Sequence, residues 1–351
     1  MSAGRTCRCA GLWLFAGLWL FAGLLSVAAQ ATGIDRSAPT QPRAHALLIG
    51  VSAYPSLGQE RQLVGPANDV RELREVLRRA RPDWHTFVVL ADGVSDADGL
   101  PERRPIITQL RNLSNRVAAG DFVLLYFSGH GSQQPATDAA QEPDGLDEIF
   151  LPRDVGRWDG RAGFVKNAIS DNEVNGLIAP LLRSGAHVWA IFDTCHAGTM
   201  TRGRSAAELQ ATEERQRAVM PRELGVPAAA IGRAVRRAPA MAPARAPLSG
   251  NLIVFSASRS FETTPELRLP PNDPQRVTRG LFTYSLVQAI SALQAATYAD
   301  WAAYIEVRYR AMNRISPQPV FEGSLAEISP LFTVVESPVR STPARPVGNE
   351  Q

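Results

Sequence analysis

Continuous apolar runs alternate with amphipathic segments along most of this chain. The runs are typical of buried parallel strands and occur at His45–Val51, His85–Leu90, Asp121–Phe127, Ile149–Leu151, His187–Phe192 and Leu252–Phe255. Between them, apolar residues recur at helical spacing from Pro66 onward and over 103–118, 172–182, 280–293 and 298–313. This alternation predicts an α/β protein whose mostly parallel central sheet is flanked by helices on both faces.

The ends of the chain depart from this pattern. Arg5 and Arg8 precede an apolar run, Ala10–Val27, and small residues that suit signal-peptide cleavage follow it. We therefore expect residues 1–31 to be a signal peptide. An uncleaved N-terminal membrane anchor is the alternative, because the run is about long enough to cross a bilayer. In both cases the body of the protein would be exported, to the periplasm or the medium.

Two polar segments need no packed structure. Residues 32–43 form a Pro-containing linker, and residues 336–351 form a Pro- and Arg-bearing tail that we expect to be disordered. The net charge is only +3, with no basic cluster in a folded segment, so nothing favours nucleic acid as a partner.

Cysteine usage directs attention to one residue. Cys7 and Cys9 lie in the N-terminal segment, which leaves Cys195 alone in the body of the chain. A single thiol cannot form an internal disulfide, so Cys195 is either a reactive group or an inert buried side chain.

Two of the predicted strands run directly into unusual sequences. One ends in Ser128-Gly129-His130-Gly131 and the other in Asp193-Thr194-Cys195. Neighbouring parallel strands end at the same edge of a sheet, which would bring His130 and Cys195 together. An imidazole can activate a thiol for attack on a carbonyl, and the backbone N–H groups of Gly131 and Cys195 could form an oxyanion hole. Taken singly, a structural histidine and a buried cysteine are the alternatives.

Around these residues the sequence resembles the caspase-like cysteine peptidases, and among them the metacaspase and bacterial orthocaspase type. The resemblance covers about residues 44–290. It rests on ALLIGV at 46–51, GPANDV at 65–70, YFSGHGSQ at 126–133, DGLDE at 144–148, ISDNE at 169–173, FDTCHAGT at 192–199, FSASR at 255–259 and GLFTY at 280–284.

The resemblance implies a caspase-like fold and a cysteine endopeptidase that cleaves after Arg or Lys with a His130–Cys195 dyad. It also implies an acidic pocket for the basic side chain, with Asp69, Ser128 and Asp193 at the matching positions. Carboxylates facing a guanidinium form strong hydrogen bonds. The alternative roles are a helix N-cap for Asp69, a turn hydroxyl for Ser128 and a loop-orienting carboxylate for Asp193.

Several members of this family bind calcium, and Asp147 and Asp171 match two of the ligand positions. Asn172 stands at a third position and Arg202 at the fourth, where a cation opposes a divalent ion. A turn residue and a helix N-cap are the alternative roles of Asp147 and Asp171. Calcium binding therefore stays open, and no other cofactor is expected. His196, beside the nucleophile, is expected to be structural.

The resemblance also divides the chain. Residues 44–200 match the large subunit and 251–335 the small subunit, and between them lies an Arg-, Ala- and Pro-rich linker, 201–250. We expect this linker to be exposed and accessible to proteases, with a weak helix inside it. Autoprocessing is one hypothesis for the linker, at Arg202, Arg204, Arg236 or Arg237, and a passive insertion is the other. The expected partners are protein or peptide substrates, and the expected state is a monomer.

Four other interpretations compete with a metacaspase-type peptidase. A catalytically silent caspase-like binding module would have lost the cysteine or the histidine, and both are present. A legumain- or gingipain-like peptidase fits the flanking motifs less well, and an aspartate-specific caspase needs arginines where this pocket has acids. A redox or metal protein built on Cys195 lacks the usual Cys and His ligand spacings.

Overall fold

The computed structural model describes residues 41–138, 142, 144–195, 214–237, 251–259 and 262–332. The predicted signal peptide or anchor, the C-terminal tail, His196, Arg202 and Arg204 lie outside these residues. No helix in the described part of the chain is long and apolar enough to cross a membrane. The regions that match the large and small subunits lie in one compact unit, Pro42–Gln351.

The described residues contain six α-helices and fourteen strands. The helices are α1 (Gly65–Ala80), α2 (Arg103–Ser114), α3 (Asp171–Arg183), α4 (Ala228–Arg237), α5 (Leu281–Ala292) and α6 (Tyr298–Ala311). The strands are β1 (Ala44–Gly50), β2 (Thr86–Ala91), β3 (Phe122–Ser128), β4 (Gly131–Pro135), β5 (Leu146–Phe150), β6 (Trp158–Asp159), β7 (Phe164–Val165), β8 (Ile169–Ser170), β9 (His187–Asp193), β10 (Arg215–Gln216), β11 (Asn251–Ser256), β12 (Pro265–Leu269), β13 (Val277–Gly280) and β14 (Val320–Glu322).

A six-stranded sheet in the order β14-β11-β9-β3-β1-β2 forms the centre of the fold. All neighbours pair in parallel except β14, which is antiparallel to β11 at one edge. The predicted mostly parallel sheet is therefore confirmed. Smaller antiparallel sheets, β4-β5-β8, β10-β12-β13 and β6-β7, were not predicted, because their strands are short and their pairing is set by distant residues.

Each face of the sheet packs on its own set of helices. Ala46 and Leu48 of β1 contribute to the core shared with α1, α5 and α6. Leu47 and Ile49 point the other way, to the core shared with α2 and α3. Successive side chains of a strand face opposite sides, so a continuous apolar strand requires helices on both faces.

The helix N-cap, which was the alternative role for Asp69 and Asp171, is wrong for both residues. Helix α1 begins at Gly65 with Val64 at the N-cap, so Asp69 lies inside the helix and is buried. Helix α3 is capped by Ser170, whose hydroxyl accepts from the Glu173 N–H at 3.2 Å, and Asp171 is the first helical residue. Both carboxylates are thus free of a capping role.

The linker is only partly as predicted. The weak helix is confirmed as α4. The expected exposure is wrong for 214–226, where Arg217, Val219 and Leu224 are fully buried. The reason is that this stretch packs against the end of the central sheet, as the next subsection describes.

Candidate active site

His130 and Cys195 follow two adjacent strands of the central sheet. Ser128 at the end of β3 pairs with Asp193 at the end of β9, so the two loops leave the sheet side by side. The loops come so close that a Cβ on Gly131 would lie 1.8 Å from the Cys195 carbonyl oxygen. Only glycine fits there, which explains the glycine after His130.

The imidazole of His130 is held from both sides. Its Nε2 lies 2.8 Å from the carbonyl oxygen of Arg61, which can only accept, so Nε2 carries the proton and Nδ1 is unprotonated. Among the described residues Nδ1 has no hydrogen-bond partner. The Tyr54 hydroxyl accepts from the His130 backbone N–H at 2.7 Å, and the two rings lie 4.7 Å apart. The free basic nitrogen is the one a nucleophile would need.

The Cys195 thiol is closed off from solvent. Its exposure is 0%, and its sulfur accepts from the Thr264 backbone N–H at 2.7 Å. The same sulfur lies 3.5 Å from the Thr264 carbonyl oxygen. Burial raises the pKa of Cys195 to about 12, although the backbone hydrogen bond from Thr264 opposes this. The thiol is therefore protonated at neutral pH.

Burial has the opposite effect on His130. It lowers the pKa of the imidazole to about 4, against smaller opposing effects from the backbones of Arg61 and Arg217. In the described state both the imidazole and the thiol are therefore neutral. The Cys195 thiolate can form only when water or a substrate replaces the residues that now cover the thiol.

An acidic pocket lies beside the two loops, and Arg217 fills it. One terminal nitrogen of Arg217, Nη2, lies 2.5 Å from Asp69 Oδ2 and 3.4 Å from Glu266 Oε1. The other, Nη1, lies 3.0 Å from Asp193 Oδ1 and donates to the Ser128 hydroxyl at 2.9 Å. The side chains of Arg217 and all three acids are at most 1% exposed. The predicted pocket residues Asp69, Ser128 and Asp193 therefore converge on one guanidinium.

Neighbouring groups hold the pocket carboxylates in place. Asp193 Oδ2 accepts from the hydroxyl and the backbone N–H of Thr283, at 2.6 and 3.2 Å. Asp69 Oδ1 accepts from the Gly280 N–H at 2.9 Å. Burial raises the pKa values of Asp69 and Glu266, and the guanidinium opposes that effect in both. A cation in the pocket therefore stabilises the ionised carboxylates.

The backbone around Arg217 is also hydrogen-bonded to residues of the site. The Gly131 N–H donates to the Arg217 carbonyl oxygen at 3.0 Å, and the Arg217 N–H donates to the Thr264 carbonyl oxygen at 3.0 Å. The Val219 N–H donates to the Gly131 carbonyl oxygen at 3.0 Å. Strand β10, just before Arg217, pairs antiparallel with β12, and Ala218 packs on Cys195. Residues 214–219, which we call the inserted segment, thus cross the site as an extended peptide.

Several of these residues are not among those predicted from sequence. Nothing singles out Arg217 from the nine arginines between Arg202 and Arg245. Glu266 lies in β12, which was not predicted, and Tyr54 and Thr264 act through a hydroxyl and a backbone group. The pair Ala218-Val219 after Arg217 gives no local signal either, because the same Arg-Ala-Val sequence recurs at 233–235.

Three carboxylates near this edge could hold a cation. Glu142, Glu148 and Asp171 each offer an oxygen within 4.8 Å of the others, and carboxylate oxygens are the ligands that calcium prefers. Burial, followed by the charge of Asp171, raises the pKa values of Glu142 and Glu148 to about 7. The chemistry of this donor set therefore fits a divalent cation.

The two predicted calcium ligands have different surroundings. Asp171 belongs to the carboxylate cluster. Asp147 is buried beside it, and its Oδ2 accepts from the backbone N–H and hydroxyl of Thr137 at 3.1 and 3.0 Å. Its other oxygen lies 3.4 Å from the side-chain amide nitrogen of Asn172. Asp147 thus has internal partners, while Glu142 and Glu148 were not predicted.

The fold and the paired strand ends define a caspase-like α/β domain. A family model described as metacaspase, peptidase C14 domain matches residues 44–202, which are under half of this chain. Metacaspase-1 of Mycosarcoma maydis is 35% identical over 159 residues, which are 45% of this chain and 37% of that protein. Metacaspase-1B of Aspergillus terreus is 35% identical over 158 residues, 45% of this chain and 39% of that protein. The matched stretch thus spans well under half of these relatives.

A solved structure agrees on the fold. The crystal structure of a protein from Geobacter sulfurreducens superimposes with a TM-score of 0.54 at 20% identity, covering 83% of this chain and 96% of that one. Its coverage extends beyond the segment matched by the family model, so the shared architecture includes much of the region after residue 202.

Proposed function

We propose that this protein is a cysteine endopeptidase that cleaves after arginine, with Cys195 as nucleophile and His130 as base. One observation carries the proposal: an arginine of the chain itself, Arg217, occupies an acidic pocket while its carbonyl oxygen accepts from the Gly131 N–H. This is the arrangement expected of a substrate whose carbonyl lies in an oxyanion hole next to the thiol.

The pocket favours Arg over Lys. The guanidinium uses two terminal nitrogens, with two acceptors at Nη2 and three at Nη1, and a lysine ammonium has one nitrogen to present. The three carboxylates are fully buried, so a neutral or acidic side chain would leave them without a counter-charge. Lysine is the weaker substrate, and aspartate is excluded.

The proposed reaction is acyl transfer. His130 Nδ1 takes the proton of the Cys195 thiol, the thiolate attacks the carbonyl carbon of the arginine, and a C–S bond forms while the Gly131 N–H donates to the oxyanion. His130 gives this proton to the leaving amine as the peptide C–N bond breaks. His130 then takes a proton from water, the hydroxide attacks the thioester, and the C–S bond breaks. His130 returns that proton to the thiolate, and the acid leaves as a carboxylate after losing its own proton to solvent. The Arg61 carbonyl keeps the imidazole oriented through these proton transfers.

The inserted segment would hold the intact chain inactive. It covers Cys195, fills the pocket and uses the Gly131 N–H, so no external peptide can bind until it leaves. The proposed site of autoprocessing is then the peptide bond between Arg217 and Ala218. Among the earlier candidates, Arg236 lies on α4, exposed and away from the pocket, Arg237 ends that helix, and Arg202 and Arg204 are outside the described residues. We retain export and a monomeric state as proposals.

The test is hydrolysis of a fluorogenic arginine amide against its lysine and aspartate counterparts, with wild type and Cys195→Ala. Each is assayed intact and after incubation that permits cleavage of the linker, with calcium and with chelator. Arginine cleavage that requires Cys195 supports the proposal. If a protein produced as the two fragments 1–217 and 218–351 hydrolyses none of the amides, the silent binding module becomes the better explanation.

A further inference from the structure

The inserted segment contacts a second charged site three residues before Arg217. Glu214 Oε1 lies 2.6 Å from Nη2 of Arg314, and the two side chains are 10% and 25% exposed. Both residues therefore lie largely out of solvent. An ion pair of this length with a guanidinium is a charge-assisted hydrogen bond.

Glu214 and Arg314 line a cleft of about 380 Å³ that is separate from the acidic pocket. Its wall comes from β12 and the turn after it, and from the C-terminal end of α6. Arg268 and Arg276 line it together with Arg314, whereas Glu214 is the acid among its lining residues. The cleft thus presents three guanidinium groups to a carboxylate carried by the inserted segment.

The direction of the segment connects the two sites. Arg215 pairs with Glu266 and Gln216 with Pro265, so the peptide runs antiparallel to β12. Continuing this register by one residue brings Glu214 beside Leu267, which lines the cleft. A substrate with its arginine in the acidic pocket and its backbone along β12 would place its fourth residue before the cleaved bond in the same cleft.

Resting on the proposed function, we propose that this cleft is a second specificity site, which selects substrates with an acidic residue four positions before the cleaved bond. Arg314 is the specificity-determining residue. The preferred substrates then carry Glu or Asp three residues before the arginine, as Glu214-Arg215-Gln216-Arg217 does in the chain itself. The two sites carry opposite charge, so a uniformly basic peptide satisfies only one of them.

The first test uses fluorogenic tetrapeptide amides of sequence Glu-Arg-Gln-Arg, Gln-Arg-Gln-Arg and Lys-Arg-Gln-Arg with the processed protein. We expect kcat/KM to be about tenfold higher for Glu than for Lys, which corresponds to about 1.4 kcal/mol. Arg314→Glu should invert that order. Arg310→Glu, one helical turn away and 68% exposed, is the matched control and should preserve it. Equal rates for the three peptides, or an Arg314→Glu variant with the wild-type order, would overturn the inference.

A second test does not depend on peptidase activity. Glu214→Arg and Arg314→Glu are made singly and together in the Cys195-containing chain, and alkylation of Cys195 reports how well the inserted segment covers the thiol. Each single change should accelerate alkylation several-fold, and the charge swap should restore protection. Failure of the swap to restore protection counts against the site. If no arginine amide is cleaved but the swap restores protection, the proposed function fails while the charged site stands.

Discussion

The carbonyl oxygen of Arg217 accepts a hydrogen bond from the Gly131 N–H at 3.0 Å, and the carboxylates around the Arg217 side chain neutralise its charge. One residue therefore contacts both the proposed oxyanion hole and the specificity pocket. This double contact distinguishes a peptide bound as a substrate from a buried arginine that only balances charge.

The first prediction concerns the bond that is cut. We expect wild-type protein to be cleaved between Arg217 and Ala218, giving a fragment that begins at Ala218, because the Arg217 carbonyl accepts from the Gly131 N–H and Ala218 packs on Cys195. Arg217→Gln should abolish this cut, and Arg236→Gln, an exposed arginine of the same linker, should not. N-terminal sequencing of the fragments measures the outcome. A Cys195→Ala chain cut at the same bond would attribute the cleavage to another protease.

The second prediction concerns Glu266, the third carboxylate of the pocket. The Val64 N–H donates to Glu266 Oε2 at 3.2 Å and the Gly65 N–H to Oε1 at 2.9 Å, so Glu266→Gln keeps an acceptor for one of them and removes a charge from the arginine site. We expect kcat/KM for an arginine amide to fall by about tenfold, or about 1.4 kcal/mol of transition-state binding. The exposed Glu306→Gln is the control. An unchanged kcat/KM would mean that Glu266 only supports α1.

The third prediction concerns access to the thiol. In the intact chain Cys195 should react slowly with iodoacetamide, since it is fully buried and burial raises its pKa to about 12. Arg217→Ala removes the side chain that anchors the inserted segment, so alkylation should be at least about tenfold faster. Mass spectrometry must assign the label to Cys195, because Cys7 and Cys9 also occur in the sequence. Equal rates in the two proteins would contradict the covering role.

The fourth prediction concerns acid stability. The pKa of His130 is about 4 in the folded chain, below the ordinary value of 6.5. The unfolded chain therefore binds the proton first, and the free energy of unfolding falls as pH drops from about 6.5 to 4, by roughly 3 kcal/mol for this group. His130→Gln should lack this loss. Its amide can still donate to the Arg61 carbonyl.

The comparison of the two proteins isolates the histidine. Asp69, Glu142 and Glu148 have raised pKa values and add stability as pH falls, but they do so equally in both. Urea unfolding at several pH values gives the difference. Parallel pH profiles for wild type and His130→Gln would show that His130 is not buried in solution.

The fifth prediction concerns calcium. If Glu142, Glu148 and Asp171 hold the ion, calcium competes with the protons that Glu142 and Glu148 retain up to a pKa of about 7. We therefore expect calcium to raise the unfolding temperature more at pH 8 than at pH 6. Glu148→Gln should reduce the shift, and Glu75→Gln, an exposed glutamate of α1, should not. Unfolding temperatures that do not respond to calcium at either pH would remove the metal proposal.

Much of the fold follows from the sequence because it depends on local patterns. The apolar runs at β1, β3, β9 and β11 can only be buried between helices, and the two strand-end motifs place His130 and Cys195 at one edge. The alternative role of helix N-cap is wrong for Asp69 and Asp171, because α1 has Val64 and α3 has Ser170 at the N-cap, although aspartate is a good capping residue.

By itself, the sequence determined the class of fold, and its resemblance to a family predicted the two residues of the proposed dyad and three residues of the pocket. Only the tertiary structure decided what fills that pocket. Arg217 is 87 residues from His130 in the chain, and no local pattern separates it from the other linker arginines. Arg217 occupies the pocket because of contacts with β12, with Glu266 and, through Glu214, with the Arg314 cleft. These come together only when distant segments pack. Charge compensation between such segments is a property of the folded chain.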